Sequence, residues 1–188
     1  DYKILDSSTR RKVIPVDLNS QMADLYQNVG VMAILVEDFE YNVHCFSQAD
    51  TLQNRVQEFL WDEDTQFFYD FDLDTNAFIK VKTSAAFWTL FGGTATKTQG
   101  KILHDAILDK SQFWSEFPIG SVPLNSELVE KEILTPRTYL SNNIWFIIGL
   151  KRNNFHITVS QLAIKTLTYL GRNFSMDQKI FDYYPANS

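Results

Sequence analysis

Apolar residues recur at helical spacing along most of the chain. Met22, Leu25, Val29, Met32, Ile34, Leu35 and Phe39 place one amphipathic helix over residues 18–43. Leu52, Val56, Phe59 and Leu60 place a second over residues 47–61, and the two read as an antiparallel hairpin. Pro15 favours an extended approach, after which Asp17 or Asn19 offers a side-chain oxygen to the free amides of the first turn. From residue 62 the period changes. Asp62-Glu63-Asp64-Thr65 reads as a turn, residues 67–73 have strand character, residues 74–76 turn again, and residues 77–81 return. A small β-hairpin between helices is the expectation. Helices resume over residues 84–90 and 96–108, separated by Gly92-Gly93, with Thr94 or Thr96 starting the second. Residues 109–135 form a connection holding Phe113-Trp114 and Phe117-Pro118-Ile119-Gly120, long enough to mark a functional or site-covering loop. Residues 139–151 and 158–170 make a last helical pair, with Gly171 as its stop. About six helices in three hairpins predict a mainly α, single-domain array over residues 1–188, whose open ends leave apolar flanks.

Composition narrows the function classes. The 188 residues suffice for one domain with a sizeable core, and 45% hydrophobic with 21% charged residues is ordinary for a globular protein. Net charge is −6, from 17 basic and 23 acidic residues, and the only basic cluster is Arg10-Arg11-Lys12. Nucleic acid is therefore not an expected partner. No apolar run is long enough to span a bilayer, so no membrane partner is expected. The lone Cys45 reads as a buried thiol, and it permits a cytoplasmic location without requiring one. His44, His104 and His156 are scattered, so neither a metal site nor a cofactor is expected. The acidic run Asp62 to Asp74 lacks the glycine and terminal glutamate of a calcium loop and reads as solvated turns. Asn173-Phe174-Ser175 is a lone glycosylation sequon.

Candidate chemistry concentrates near residue 182. Aromatic residues make up 14% of the chain, and Asp182-Tyr183-Tyr184-Pro185 sets a carboxylate beside two of them. Tyrosine rings are flat and amphipathic, which suits a sugar ring, and an adjacent carboxylate can activate a water.

Six segments, in order, resemble motifs of one enzyme group. Val16-Asp17-Leu18-Asn19-Ser20 followed by Tyr26-Gln27-Asn28 is similar to the "VDLNxxxYQN" helix start of trehalases, processing α-glucosidase I and mannosylglycerate hydrolases. Leu60-Trp61-Asp62-Glu63 through Phe67-Phe68-Tyr69-Asp70 resembles their "LWDExxGFYYD" hairpin. Phe87-Trp88-Thr89-Leu90 through Gly93, Ala95 and Gln99 resembles "FxPLxAGxAxxxQ", and Phe117 to Pro123 resembles "FGxPSVP". Thr138-Tyr139-Leu140-Ser141-Asn142-Asn143-Ile144-Trp145 resembles the segment after "YWRGP", and Phe181-Asp182-Tyr183-Tyr184-Pro185 resembles "FxEYYDP". The resemblance implies an (α/α) toroid that hydrolyses α-glycosides with inversion, of which this chain corresponds to the C-terminal half. It places the general base at Asp182, one methylene shorter than the family glutamate. It implies substrate contacts from Tyr139, Asn143, Trp88, Tyr183 and Asn19. Arg137 lies two residues from Thr135, where the family arginine falls.

The family acid motif, "ESGxDxSPR", has no counterpart in residues 1–15, and Asp6 is not assigned to that role. Inverting hydrolysis needs both an acid and a base. The expectation is therefore a carbohydrate substrate, with turnover requiring the missing N-terminal half or a partner copy. The competing reading is a non-catalytic helical module that binds carbohydrate or protein.

Overall fold

The computed structural model describes residues 12–186; Asp6, Arg10-Arg11 and Asn187 lie outside the described residues. The helices are α1 (Val16–Leu35), α2 (Phe39–Leu60), α3 (Trp88–Phe91, entered through a 3-10 turn at Ser84–Phe87), α4 (Lys97–Leu108), α5 (Glu127–Glu130), α6 (Leu140–Arg152) and α7 (His156–Asp177). Short strands are β1 (Val13–Ile14), β2 (Trp61–Asp62), β3 (Phe67–Phe68), β4 (Phe71–Asp72), β5 (Ala77–Phe78), β6 (Arg137–Tyr139) and β7 (Tyr183–Pro185). The pairs α1–α2, α3–α4 and α6–α7 are three consecutive hairpins.

Their first members form one layer, since α1 packs on α3 and α3 on α6. Glycine makes that layer tight. A Cβ on Gly92 would meet the Ser20 carbonyl oxygen at 2.2 Å, and one on Gly149 would meet the Phe91 amide nitrogen at 2.8 Å. Arg152, at the end of α6, ties the layer together by donating to the Asp24 carboxylate and the Phe91 carbonyl while lying 4.4 Å from the Phe91 ring. The second members form the other layer. The Gln57 and Gln99 amides pair reciprocally at 2.9 and 2.8 Å between α2 and α4, and His104 of α4 bonds the Thr158 hydroxyl of α7 at 2.7 Å. Between the layers sits an aromatic core, with Phe87 edge-on to Phe113 and Phe146 at 4.8 and 5.7 Å.

Some boundaries differ from the sequence-based expectation. The first helix ends at Leu35, not near residue 43, because Glu37 takes a φ of 61° and the Asp38 carboxylate caps α2 by accepting from the Tyr41 amide at 3.0 Å. Asp17 lies inside the first turn of α1, where its carboxylate accepts from the Leu18 amide at 2.7 Å, and Asn19, among the described residues, accepts from no first-turn amide. The Val16 amide, first in the helix, is satisfied by Asp70, whose carboxylate accepts from it at 2.8 Å across 54 residues of chain. Residues 61–78 form two hairpins in place of one, β2–β3 and β4–β5, with β1 added on the free edge of β4. Asp62 is buried, not solvated, and is held by Thr65 at 2.6 Å and Lys80 at 3.0 Å. Those hydrogen bonds, Thr65 first, keep its carboxyl below the usual range. Gly171 does not stop α7, which runs on to Asp177 and ends where Gln178 adopts a left-handed φ of 54°.

Candidate active site

A two-stranded ribbon brings the chain's distant tyrosines together. Strand β6 pairs antiparallel with β7, in the register Arg137↔Pro185, Thr138↔Tyr184 and Tyr139↔Tyr183. Side chains alternate across a strand. Thr138 and Tyr184 accordingly face inward and are buried, while Arg137, Tyr139 and Tyr183 share the outer face. The guanidinium of Arg137 lies 4.6 Å from the Tyr183 ring, and the Tyr139 and Tyr183 rings are 5.7 Å apart. One residue beyond the last pair, the Asp182 carbonyl accepts from the Leu140 amide at 3.0 Å, the first amide of α6. Asp182 thus stands at a helix N-terminus, where the backbone dipoles favour a negative charge. It is exposed, and among the described residues its carboxylate carries no hydrogen bond or ion pair.

The ribbon is fixed from behind by the connection 109–135. The Phe117 carbonyl accepts from the hydroxyls of both Thr138 and Ser115. Ser121 bonds Arg137 twice, its amide donating to the Arg137 carbonyl at 2.7 Å and its hydroxyl accepting from the Arg137 amide at 3.1 Å. The same Ser121 offers its carbonyl to the Ser84 amide at 2.9 Å, which joins the ribbon to the start of the second hairpin. Under the ribbon, Tyr184 lies edge-on to the stacked pair Phe117 and Tyr169, at 5.3 and 5.5 Å, and its hydroxyl accepts from the Phe181 amide at 3.0 Å. Through these bonds the long loop braces the candidate site.

Four of the sequence-derived candidates therefore converge: Asp182, Tyr183, Tyr139 and Arg137. Three do not. Asn143 is fully buried, its amide oxygen accepting from the Ile119 amide at 2.9 Å and its nitrogen donating to the Pro118 carbonyl. Both ends of its amide are used to hold the loop. Trp88 belongs to the core, edge-on to Phe91 at 5.7 Å and Phe146 at 5.9 Å. Asn19 turns back on its own helix, donating to the Pro15 carbonyl at 2.7 Å, and none of the described contacts joins it to the ribbon. Sequence reasoning misses Trp145. It sits on α6 just past Asn143 with 41% of its surface exposed, backed by Phe91 at 5.0 Å. Its place inside one of the six resembling segments is the available signal. Ser121 and Thr138 are missed too; both lie within resembling segments, but a small hydroxyl there carries no distinctive chemistry.

Two depressions open elsewhere. One, of about 380 Å³, lies around Asp24, Gln27, Asn28 and Arg152; the other, of about 770 Å³, lies along α7. Asp182 lines neither. Among the described residues no group of three or more His, Cys, Asp or Glu gathers to hold a metal ion. No described helix is long and apolar enough to cross a membrane.

The helical hairpins share their fold with (α/α) toroid glycosidases. Over 94% of its length the chain matches neutral trehalase from Saccharomyces cerevisiae, with a TM-score of 0.79 at 16% identity, and covers 34% of that structure. Over 94% it also matches a GH63 mannosylglycerate hydrolase from Thermus thermophilus in complex with glucose, with a TM-score of 0.77 at 20% identity, covering 43% of it. A curated mannosylglycerate hydrolase from Thermus thermophilus is 26% identical over 171 residues, which are 86% of this chain and 38% of that protein. The family model for trehalase matches residues 2–188, and the chain belongs to the trehalase family of glycoside hydrolases. It spans less than half the length of each of these relatives.

Proposed function

We propose that this chain supplies the base-bearing part of an inverting α-glycosidase, with Asp182 as general base. The observation that carries the reading is the β6–β7 pairing, which sets Asp182 at the start of α6 beside Tyr139, Tyr183 and Arg137. A glycone stacks on the tyrosine faces, and Arg137, held by Tyr183, donates to its hydroxyls. Asp182 takes a proton from a water on the face opposite the leaving group. The leaving oxygen is protonated by a carboxylic acid roughly 6.5–9.5 Å away, the separation that leaves room for that water. In this reading the acid comes from hairpins outside these 188 residues. The exposed carboxylate of Asp182 suits a base that works only once the opposing half encloses it.

The test is the anomer first released when the full-length polypeptide is offered α,α-trehalose, a glucosyl oligosaccharide and mannosylglycerate, followed by proton NMR. Inversion predicts, before mutarotation, the β-anomer of the glycone from the last two substrates, and equal amounts of β- and α-glucose from α,α-trehalose, whose leaving glucose keeps its configuration. Release of the α-anomer alone would rule out the single-displacement chemistry. The second reading, a non-catalytic carbohydrate-binding module, draws on the short Asp182 side chain, and binding of these sugars without turnover would favour it.

A further inference from the structure

We propose that the groove between α7 and the segment following α4 binds a phosphorylated monosaccharide, at a site separate from the Asp182 ribbon. The groove holds about 770 Å³ and is lined by, among others, Lys110, Trp114, Glu116, Lys165, Tyr169 and Arg172. Small-molecule sites run from about 300 to 1,000 Å³. Three of those side chains are cationic and one is anionic, in a chain of net charge −6. A basic hollow on an acidic protein concentrates anions. Among the described residues, Lys110, Lys165 and Arg172 take part in no ion pair, so their charges are available.

The site is built, not merely charged. Lys165 donates to the Ser115 carbonyl at 2.6 Å and lies 5.4 Å from the centre of the Trp114 ring. An ammonium has three donors, so two stay free for a phosphate oxygen. Burial holds this amine below the usual lysine range, and an arriving dianion reverses that shift. Lys165, Tyr169 and Arg172 recur at helical spacing and present one face of α7 to the groove. Phosphate is the natural partner of such lysine and arginine donors. Trp114, half-buried, adds a flat apolar face for the C–H side of a sugar ring, and Gln161 and Thr168 add neutral hydrogen-bonding groups for its hydroxyls. Leu167 and Phe174 lie on the other side of α7, so neighbouring hairpins that cover them leave the groove open.

The experiment is calorimetric titration of the full-length polypeptide with glucose 6-phosphate, inorganic phosphate and glucose in parallel. Saturable binding of glucose 6-phosphate is expected, tighter than phosphate, with no binding of glucose in this site. Arg172→Gln and Lys110→Gln, both at exposed positions, each weaken it about tenfold. Trp114→Leu brings the sugar phosphate down to the affinity of phosphate alone. Tyr183→Ala, which removes a stacking face of the proposed catalytic site, leaves the affinity unchanged, which separates this groove from that site. Equal affinities for glucose 6-phosphate and phosphate, binding undiminished in Arg172→Gln, or no saturable heat would overturn the assignment.

Discussion

Single carboxylates in this chain do unlike work, and their surroundings decide which. Asp182 is exposed and, among the described residues, its carboxylate carries no hydrogen bond, whereas Asp70 is half-buried as the remote cap of α1. Burial holds the Asp70 carboxyl above its ordinary value, outweighing the Val16 amide that favours the charged form. A carboxyl raised in the fold contributes its full stability below the unfolded value and loses it as pH rises through the folded value. Asp70→Asn keeps an acceptor for the Val16 amide and removes the charge. The melting temperature of that variant, relative to the parent, is expected to climb as pH rises from acid to neutral. A difference that stays flat, or falls, would show that the amide bond and not burial dominates at Asp70. Residue types at this scale are legible in the sequence while their surroundings are not. For Asn143 and Trp88 the residue pattern favours structural roles over sugar contact, and both are buried. Asp182 and Tyr139 meet only through strand pairing across a long stretch of chain, and resemblance alone points there.

Elements are easier to read where their ends carry local chemistry. Thr96 and Gln99 form a reciprocal capping box, and α4 starts where they predict. The α1–α2 break escapes the sequence pattern because Val36, Phe39 and Val43 prolong an apolar run, although all three are exposed. Periodicity cannot tell an apolar residue facing the core from one facing an absent neighbour. Gly171 misleads for a different reason: it lies in open space inside α7, where glycine costs only about 1 kcal/mol relative to alanine. Gly149 is the opposite case. Gly149→Ala pushes a methyl group against the Phe91 backbone and should destabilise the fold by about 1–3 kcal/mol. Thermal unfolding of that variant, with Gly171→Ala as a neutral or stabilising control, measures it. Equal melting temperatures would mean that α3 and α6 have room to part.

At the scale of the molecule, three hairpins make an arc with two open flanks. Met32, Leu35 and Val36 are exposed on the first hairpin, and Leu167 and Phe174 on the last. Several large apolar side chains exposed on one element are the raw material of an interaction face. The proposed occupant is the rest of the toroid, or a second copy that closes the ring. Expressed as residues 1–188 alone, the chain is expected to self-associate, and sedimentation velocity reads this directly. A stable monomer across concentration would mean that these flanks need no cover. The number of hairpins is readable from sequence, since each helix carries its own apolar stripe. Closure is not readable, because it depends on surfaces contributed from outside the arc.

The role of Asp182 is tested most directly by the turnover number of the full-length polypeptide carrying Asp182→Asn, with Asp182→Glu alongside. Loss of a general base predicts a fall in kcat of about 10²–10⁴-fold for the asparagine variant, with substrate affinity retained and activity kept by glutamate. An asparagine variant that turns over at the parental rate would remove Asp182 from the chemistry.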